Sequence, residues 1–118
     1  MNDITVKKAS KGTYKARIRD YKSIIQRVYD FYQESLLKIL AYDEGLSDLS
    51  HPTIVRLQIA IDRVDSIVEN LGRDARRIIA IEIKGNYDPH WYSDFYSKSA
   101  YNRIKAKAYA EFIEKLKL

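Results

Sequence analysis

Six residues near the C-terminal end of the chain are of types that could act together: Lys98, Ser99, Asn102, Arg103, Lys105 and Lys107. All can donate hydrogen bonds, and no acidic residue stands between Phe95 and Ala110. At about 100° per helical residue, Ser99, Asn102 and Arg103 share a face with Ala106, opposite Tyr101, Ile104 and Ala108. Lys98, Lys105 and Lys107 are expected to flank that face. Arginine matches guanine and asparagine matches adenine through paired hydrogen bonds in the major groove. Lysines suit phosphates and add salt-dependent affinity on any sequence. The plainer alternative for the same residues is a solvated helix face. The predicted DNA-binding set is therefore Lys98, Ser99, Asn102, Arg103, Lys105 and Lys107.

Such a face needs a helix with a defined start and a packed back. Ser97 suits the N-cap of a helix running to about Lys117, with Tyr101, Ile104, Ala108, Phe112, Ile113 and Leu116 inward. The helix N-terminus adds partial positive charge, which favours phosphate. Upstream, Asp88 and Pro89 are a helix start, and Trp91, Tyr92 and Phe95 give a short apolar helix. Trp91 is expected to plug the core. Before that, Arg73 to Lys84 is predicted helical, with Ala75, Ile78, Ile79 and Ile83 inward, and Gly85-Asn86 breaks it. Helix, break, short helix, turn and long basic helix is the order of a helix-turn-helix module.

The first part of the chain has a different pattern. Tyr14, Ile18, Tyr21, Ile25, Val28, Tyr32, Ile39 and Tyr42 step by three and four, with Ser35 in the one gap. Ile24, Phe31, Leu36, Leu37 and Leu40 widen the stripe, so one long helix is predicted, stopped by Gly45. Ser50 and Pro52 open a second helix, on which Ile54, Leu57, Ile61, Val64, Val68 and Leu71 recur at helical spacing before Gly72. A short connection between two such stripes predicts an antiparallel hairpin over 14–71, used for dimerisation or partner docking. Residues 1–13 are predicted to be a basic arm. Lys7, Lys8, Lys11, Lys15, Arg17 and Arg19 at this end either follow a DNA backbone or simply solubilise it.

Composition bounds the remaining possibilities. The chain has 118 residues and a formal net charge of +5. Residues 1–28 carry eight basic against two acidic residues, 29–72 carry three against eight, and 73–118 carry ten against six. Two basic ends thus flank an acidic middle, as in a protein whose ends meet a polyanion. There is no cysteine, which removes disulfides and thiolate chemistry. His51 and His90 lack ligand-spaced partners, so no metal and no cofactor is expected. No glycine-rich phosphate loop, nucleophile elbow or placed carboxylate pair is present, and an enzyme is not expected. No apolar run approaches the roughly 20 residues that span a bilayer. No membrane partner and a cytoplasmic location are the corresponding expectations.

The run Asp88-Pro89-His90-Trp91-Tyr92-Ser93-Asp94-Phe95-Tyr96, continued by Ser97-Lys98-Ser99-Ala100-Tyr101-Asn102-Arg103 and by Ala108-Tyr109-Ala110-Glu111-Phe112, resembles the ArpU/RinA-like phage transcriptional regulators. Its final helix is similar to that of a sigma-factor region-four helix-turn-helix. The resemblance covers about residues 70–117. It implies a transcriptional regulator from a phage or other mobile element, acting on double-stranded DNA; the hairpin is separately expected to dimerise the protein or to dock a partner such as RNA polymerase. Ala100 departs from the pattern, where such helices often carry threonine.

Together these features predict an all-α protein: a basic arm over 1–13, a helical hairpin over 14–71, and a trihelical helix-turn-helix module over 72–118. The expected function is a DNA-binding transcriptional regulator, with a homodimer formed through the hairpin as one arrangement. Two alternatives are a protein-interaction module that inhibits or tethers a host factor, and a packaging-type DNA-recognition subunit.

Overall fold

A computed structural model of the chain describes residues 10–85 and 88–116, with side chains from Asp20 onward. These residues form four α-helices and no strand: α1 (Ser10–Asp43), α2 (His51–Glu69), α3 (Arg73–Lys84) and α4 (Lys98–Leu116), with a 3-10 turn (Trp91–Asp94) before α4. Helix α1 starts at Ser10, so the last residues assigned to the arm are its first turn. Positions 1–9, with Lys7 and Lys8, lie outside the described residues, as do the side chains of Lys11, Tyr14, Lys15, Arg17, Ile18 and Arg19.

Local chemistry sets the helix ends. Gly45 has φ 74°, a conformation that costs a residue with a Cβ but not glycine. Its N–H donates to the Tyr42 carbonyl at 3.0 Å, and that of Leu46 donates to Ala41 at 2.8 Å, the paired bonds of a Schellman stop. Ser50 Oγ accepts from the Thr53 N–H at 3.3 Å and caps α2, with Pro52 in the first turn. Ser97 Oγ accepts from the Ala100 N–H at 3.1 Å at the start of α4.

One core runs through all four helices. Ile25 and Tyr32 of α1 meet Ile61, Val64 and Val68 of α2, the inward stripe of α3, and Tyr101, Ala108, Tyr109 and Phe112 of α4. Ile78, Ile79, Ile83 and Phe112 are fully buried. The C-terminal ends of α3 and α4 are tied to the first two helices. Gln33 Nε2 donates to the Ile83 carbonyl at 2.9 Å, and Arg63 Nη2 to the Leu116 carbonyl at 2.9 Å. Each bond satisfies a carbonyl that has no partner inside its own helix, and the arginine also complements the negative helix end.

Two expectations change. Phe31, Leu36, Leu37 and Leu40 do not widen the buried stripe of α1; all four are exposed. They stand to either side of the line through Ile25, Val28, Tyr32, Ser35 and Ile39, which one packed face is wide enough to bury. Ser35, the polar gap in that line, is buried. The segment after Pro89 is also not a short α-helix. Trp91, Ser93 and Phe95 N–H groups donate three residues back, to Asp88, His90 and Tyr92. Trp91 and Tyr92 pack on the Tyr101 ring and Phe95 on the Arg77 guanidinium, and these contacts hold the segment in the tighter turn.

Candidate nucleic-acid interface

The turn before α4 is held to α3 by a small polar cluster. The Tyr96 hydroxyl donates to Asp74 Oδ1 at 2.6 Å and accepts from Arg77 Nη1 at 3.4 Å. The Arg77 guanidinium also lies 4.3 Å from the centre of the Phe95 ring. Burial and the bond to Asp74 raise the Tyr96 pKa above its ordinary value, which keeps the hydroxyl a donor. Tyr92 stacks on Tyr101 with centroids 4.0 Å apart, and Trp91 meets Tyr101 edge-on at 5.8 Å. Trp91 is half-buried rather than a full plug. These contacts seat Tyr101, in the first turns of α4, on the core and leave its neighbours Lys98, Ser99, Asn102 and Arg103 exposed.

Lys98, Ser99, Asn102, Arg103 and Lys107 are all exposed on α4. Ser99, Arg103 and Lys107 follow one another at steps of four along its outer side. None of the three lysines or Arg103 has a carboxylate within ion-pair distance among the described residues, where the one ion pair is Lys84 with Asp65 at 2.9 Å. Arg73, at the start of α3, lines a groove of about 300 Å³ together with Lys107; Asp74 and Glu111 also line it, each already accepting a hydrogen bond within the fold.

Lys105 is placed differently from expectation. It is half-buried, and its ammonium sits 5.2 Å from the Tyr101 ring centre and 5.7 Å from that of Tyr109. Position 105 is one turn from both tyrosines, so it shares their inward side rather than flanking the outer one. Asn102 stands at the boundary and borders the same hollow as Lys105.

The hollow has an unexpected floor. Glu82 of α3 is only 8% exposed. The Tyr101 hydroxyl donates to its Oε2 at 2.9 Å, and the Tyr109 hydroxyl donates to its Oε1. A buried carboxylate is tolerated when such charge-assisted bonds replace water. Sequence reasoning missed Glu82, Tyr109 and Arg73. The signal for Glu82 was its place in the inward series with Ala75, Ile78, Ile79 and Ile83. That for Tyr109 was its spacing of eight from Tyr101, two turns along one side.

No described helix is long and apolar enough to cross a membrane. Among the described residues, no group of three or more His, Asp or Glu is placed to hold a metal ion. Comparison of the chain with protein-family models, with curated proteins and with solved structures gives no match.

Proposed function

We propose that the chain is a transcriptional regulator that binds double-stranded DNA with the outer side of α4. The observation that carries this reading is the run of exposed donors Lys98, Ser99, Asn102, Arg103 and Lys107 on a stretch without acids, whose cations have no carboxylate within ion-pair distance among the described residues. Arg73 beside Lys107 adds a further cation from α3. Ser99 and Arg103 meet base edges, Asn102 reads at the margin, and the lysines meet phosphate. The likeness of residues 88–112 to ArpU/RinA-like phage regulators supports the regulator assignment, with RNA polymerase as the protein partner. A helix-turn-helix in this chain would use the 3-10 turn in place of its short helix.

Fluorescence anisotropy with a mixed-sequence duplex at 50 and 200 mM salt tests the proposal. Arg103→Ala with Lys107→Ala should weaken binding on every sequence. It should also flatten the dependence of log K on log salt by about 0.9 for every phosphate no longer neutralised. Unchanged binding and slope would remove α4 from the interface.

One observation favours a second role alongside the first. Leu37 and Ile59 are 66% and 63% exposed, and Leu40, Leu46 and Val55 are also open. Apolar exposure concentrated over 36–59 suits a protein contact, either a second copy or a host factor. Sedimentation analysis of the parent and of Leu37→Glu separates a self-contact from a contact with another protein.

A further inference from the structure

The hollow between α1 and α4 has a volume of about 320 Å³. Lys22 and Tyr29 of α1 wall one side, and Asn102 and Lys105 of α4 wall the other, over Glu82. Two cations, one on α1 and one on α4, therefore line one hollow, and neither has a carboxylate within ion-pair distance among the described residues. Among the described lining residues the one acid is Glu82, and each of its oxygens already accepts from a tyrosine hydroxyl. Gln26, which also borders the space, spends its amide on Asp30 at 3.1 Å. The groups with capacity left over are mainly donors: two ammonium groups, the Asn102 amide and the Tyr29 hydroxyl.

Glu82 also makes the cationic wall stiff. It holds Tyr101 and Tyr109, and the Lys105 ammonium rests against both rings. Cation–π contact fixes the ammonium while leaving its N–H groups able to donate. A lysine held in this way loses less freedom when a ligand arrives than one on a free stem.

We propose that this hollow is a binding site for a phosphate-type oxyanion, held between Lys22 and Lys105 with Asn102 and Tyr29 as further donors. The oxyanion is either a backbone phosphate of bound DNA or the phosphate of a small molecule. The site lies on the inward flank of α4 and shares Asn102 with the proposed outer face, but Lys22, Tyr29 and Lys105 stand apart from Ser99, Arg103 and Lys107, so it can stand whether or not the DNA reading does. In the first case the DNA footprint reaches α1. In the second, a small phosphorylated molecule bridges α1 and α4 beside Asn102.

The test is titration of the whole protein with inorganic phosphate at constant ionic strength, chloride being the balancing ion, followed by backbone NMR shifts. A matched titration uses duplex DNA. Saturable shifts centred on residues 22–29 and 101–109 are expected. Lys22→Gln should weaken phosphate about fivefold or more, as expected for removal of one near-contact charge pair, whereas Lys38→Gln should not. Lys22 is exposed, so its replacement leaves the core intact. If Lys22→Gln weakens the duplex as well, and phosphate competes with DNA, the oxyanion is a backbone phosphate. If it weakens phosphate alone, the ligand is a small molecule. Absence of saturable phosphate binding, together with duplex binding indifferent to Lys22→Gln, overturns the proposal. In that event a loss of DNA binding in Arg103→Ala with Lys107→Ala would still uphold the outer face. Phosphate binding that persists in a protein binding no duplex would uphold the hollow and sink the DNA reading.

Discussion

Glu82 ties α4 to α3 through two hydrogen bonds, and its replacement has a calculable cost. Two tyrosine hydroxyls from α4 donate to its two oxygens at a site almost closed to water. A hydrogen bond to a charged group contributes about 1.5–3 kcal/mol, so Glu82→Ala, which removes the acceptor of both, should cost about 3–6 kcal/mol. Total stability of a domain this size is about 5–15 kcal/mol, so the alanine variant sits near the edge of folding. Glu82→Gln is the better probe. It keeps the volume and one carbonyl acceptor, lets the second hydroxyl turn to accept from the amide, and loses the charge, for about 1–2 kcal/mol. Urea unfolding followed by far-ultraviolet circular dichroism measures each, read as a shift in midpoint at constant slope. A double-mutant cycle of Glu82→Gln with Tyr101→Phe should give a coupling of about 1 kcal/mol, because the two share one bond. A cost below about 0.5 kcal/mol for Glu82→Gln, with no coupling to Tyr101, would refute the claim that this carboxylate ties α4 to α3.

Two more outcomes follow from polar contacts between elements. Glu111 Oε2 accepts from the Gly72 N–H at 3.0 Å, so a carboxylate of α4 completes the N-terminus of α3, where no side chain of Gly72 can. Glu111→Ala should destabilise by about 1 kcal/mol in urea, and by less at high salt, since it removes a cap and a helix-dipole charge together; no change would mean that water serves that N–H equally well. Tyr32 has its pKa pushed up from 10.0 to about 12, first by burial and then by its hydrogen bond to Asp65. A raised folded-state pKa means that the stabilisation is whole below about pH 10 and is lost as pH rises toward about 12. Urea midpoints measured from about pH 9 to about pH 11.5 should therefore fall more steeply for the parent than for Tyr32→Phe, and equal slopes would show that Tyr32 ionises as freely as in the unfolded chain.

Much of this protein is decided by local pattern. The helical periods of α1, α2, α3 and α4, the glycine stop at Gly45, and the serine caps at Ser50 and Ser97 are each written within a few neighbouring residues. A helix end or an amphipathic stripe depends on neighbours three and four positions away. The exposed donors Lys98, Ser99, Asn102, Arg103 and Lys107 were legible for the same reason: a helix of known phase with its apolar side assigned leaves its other side to solvent. Position on a helix alone did not decide which flank of that helix was covered. Lys105 lies within one turn of Tyr101 and Tyr109, and it turns inward because α3 offers Glu82 to both hydroxyls and α1 closes the space above. Phe31, Leu36, Leu37 and Leu40 belong to a helix rich in apolar residues, yet only the line that meets the other helices is buried. The residues after Pro89 carry every sign of a helix start, and the packing of their rings against Tyr101 and of Phe95 against Arg77 makes them a 3-10 turn instead. The basic C-terminal helix is thus a matter of sequence. Its division into an outer donor face and an inner lysine over two tyrosines is a matter of tertiary structure, because only the approach of α1 and α3 makes the two sides of that helix different.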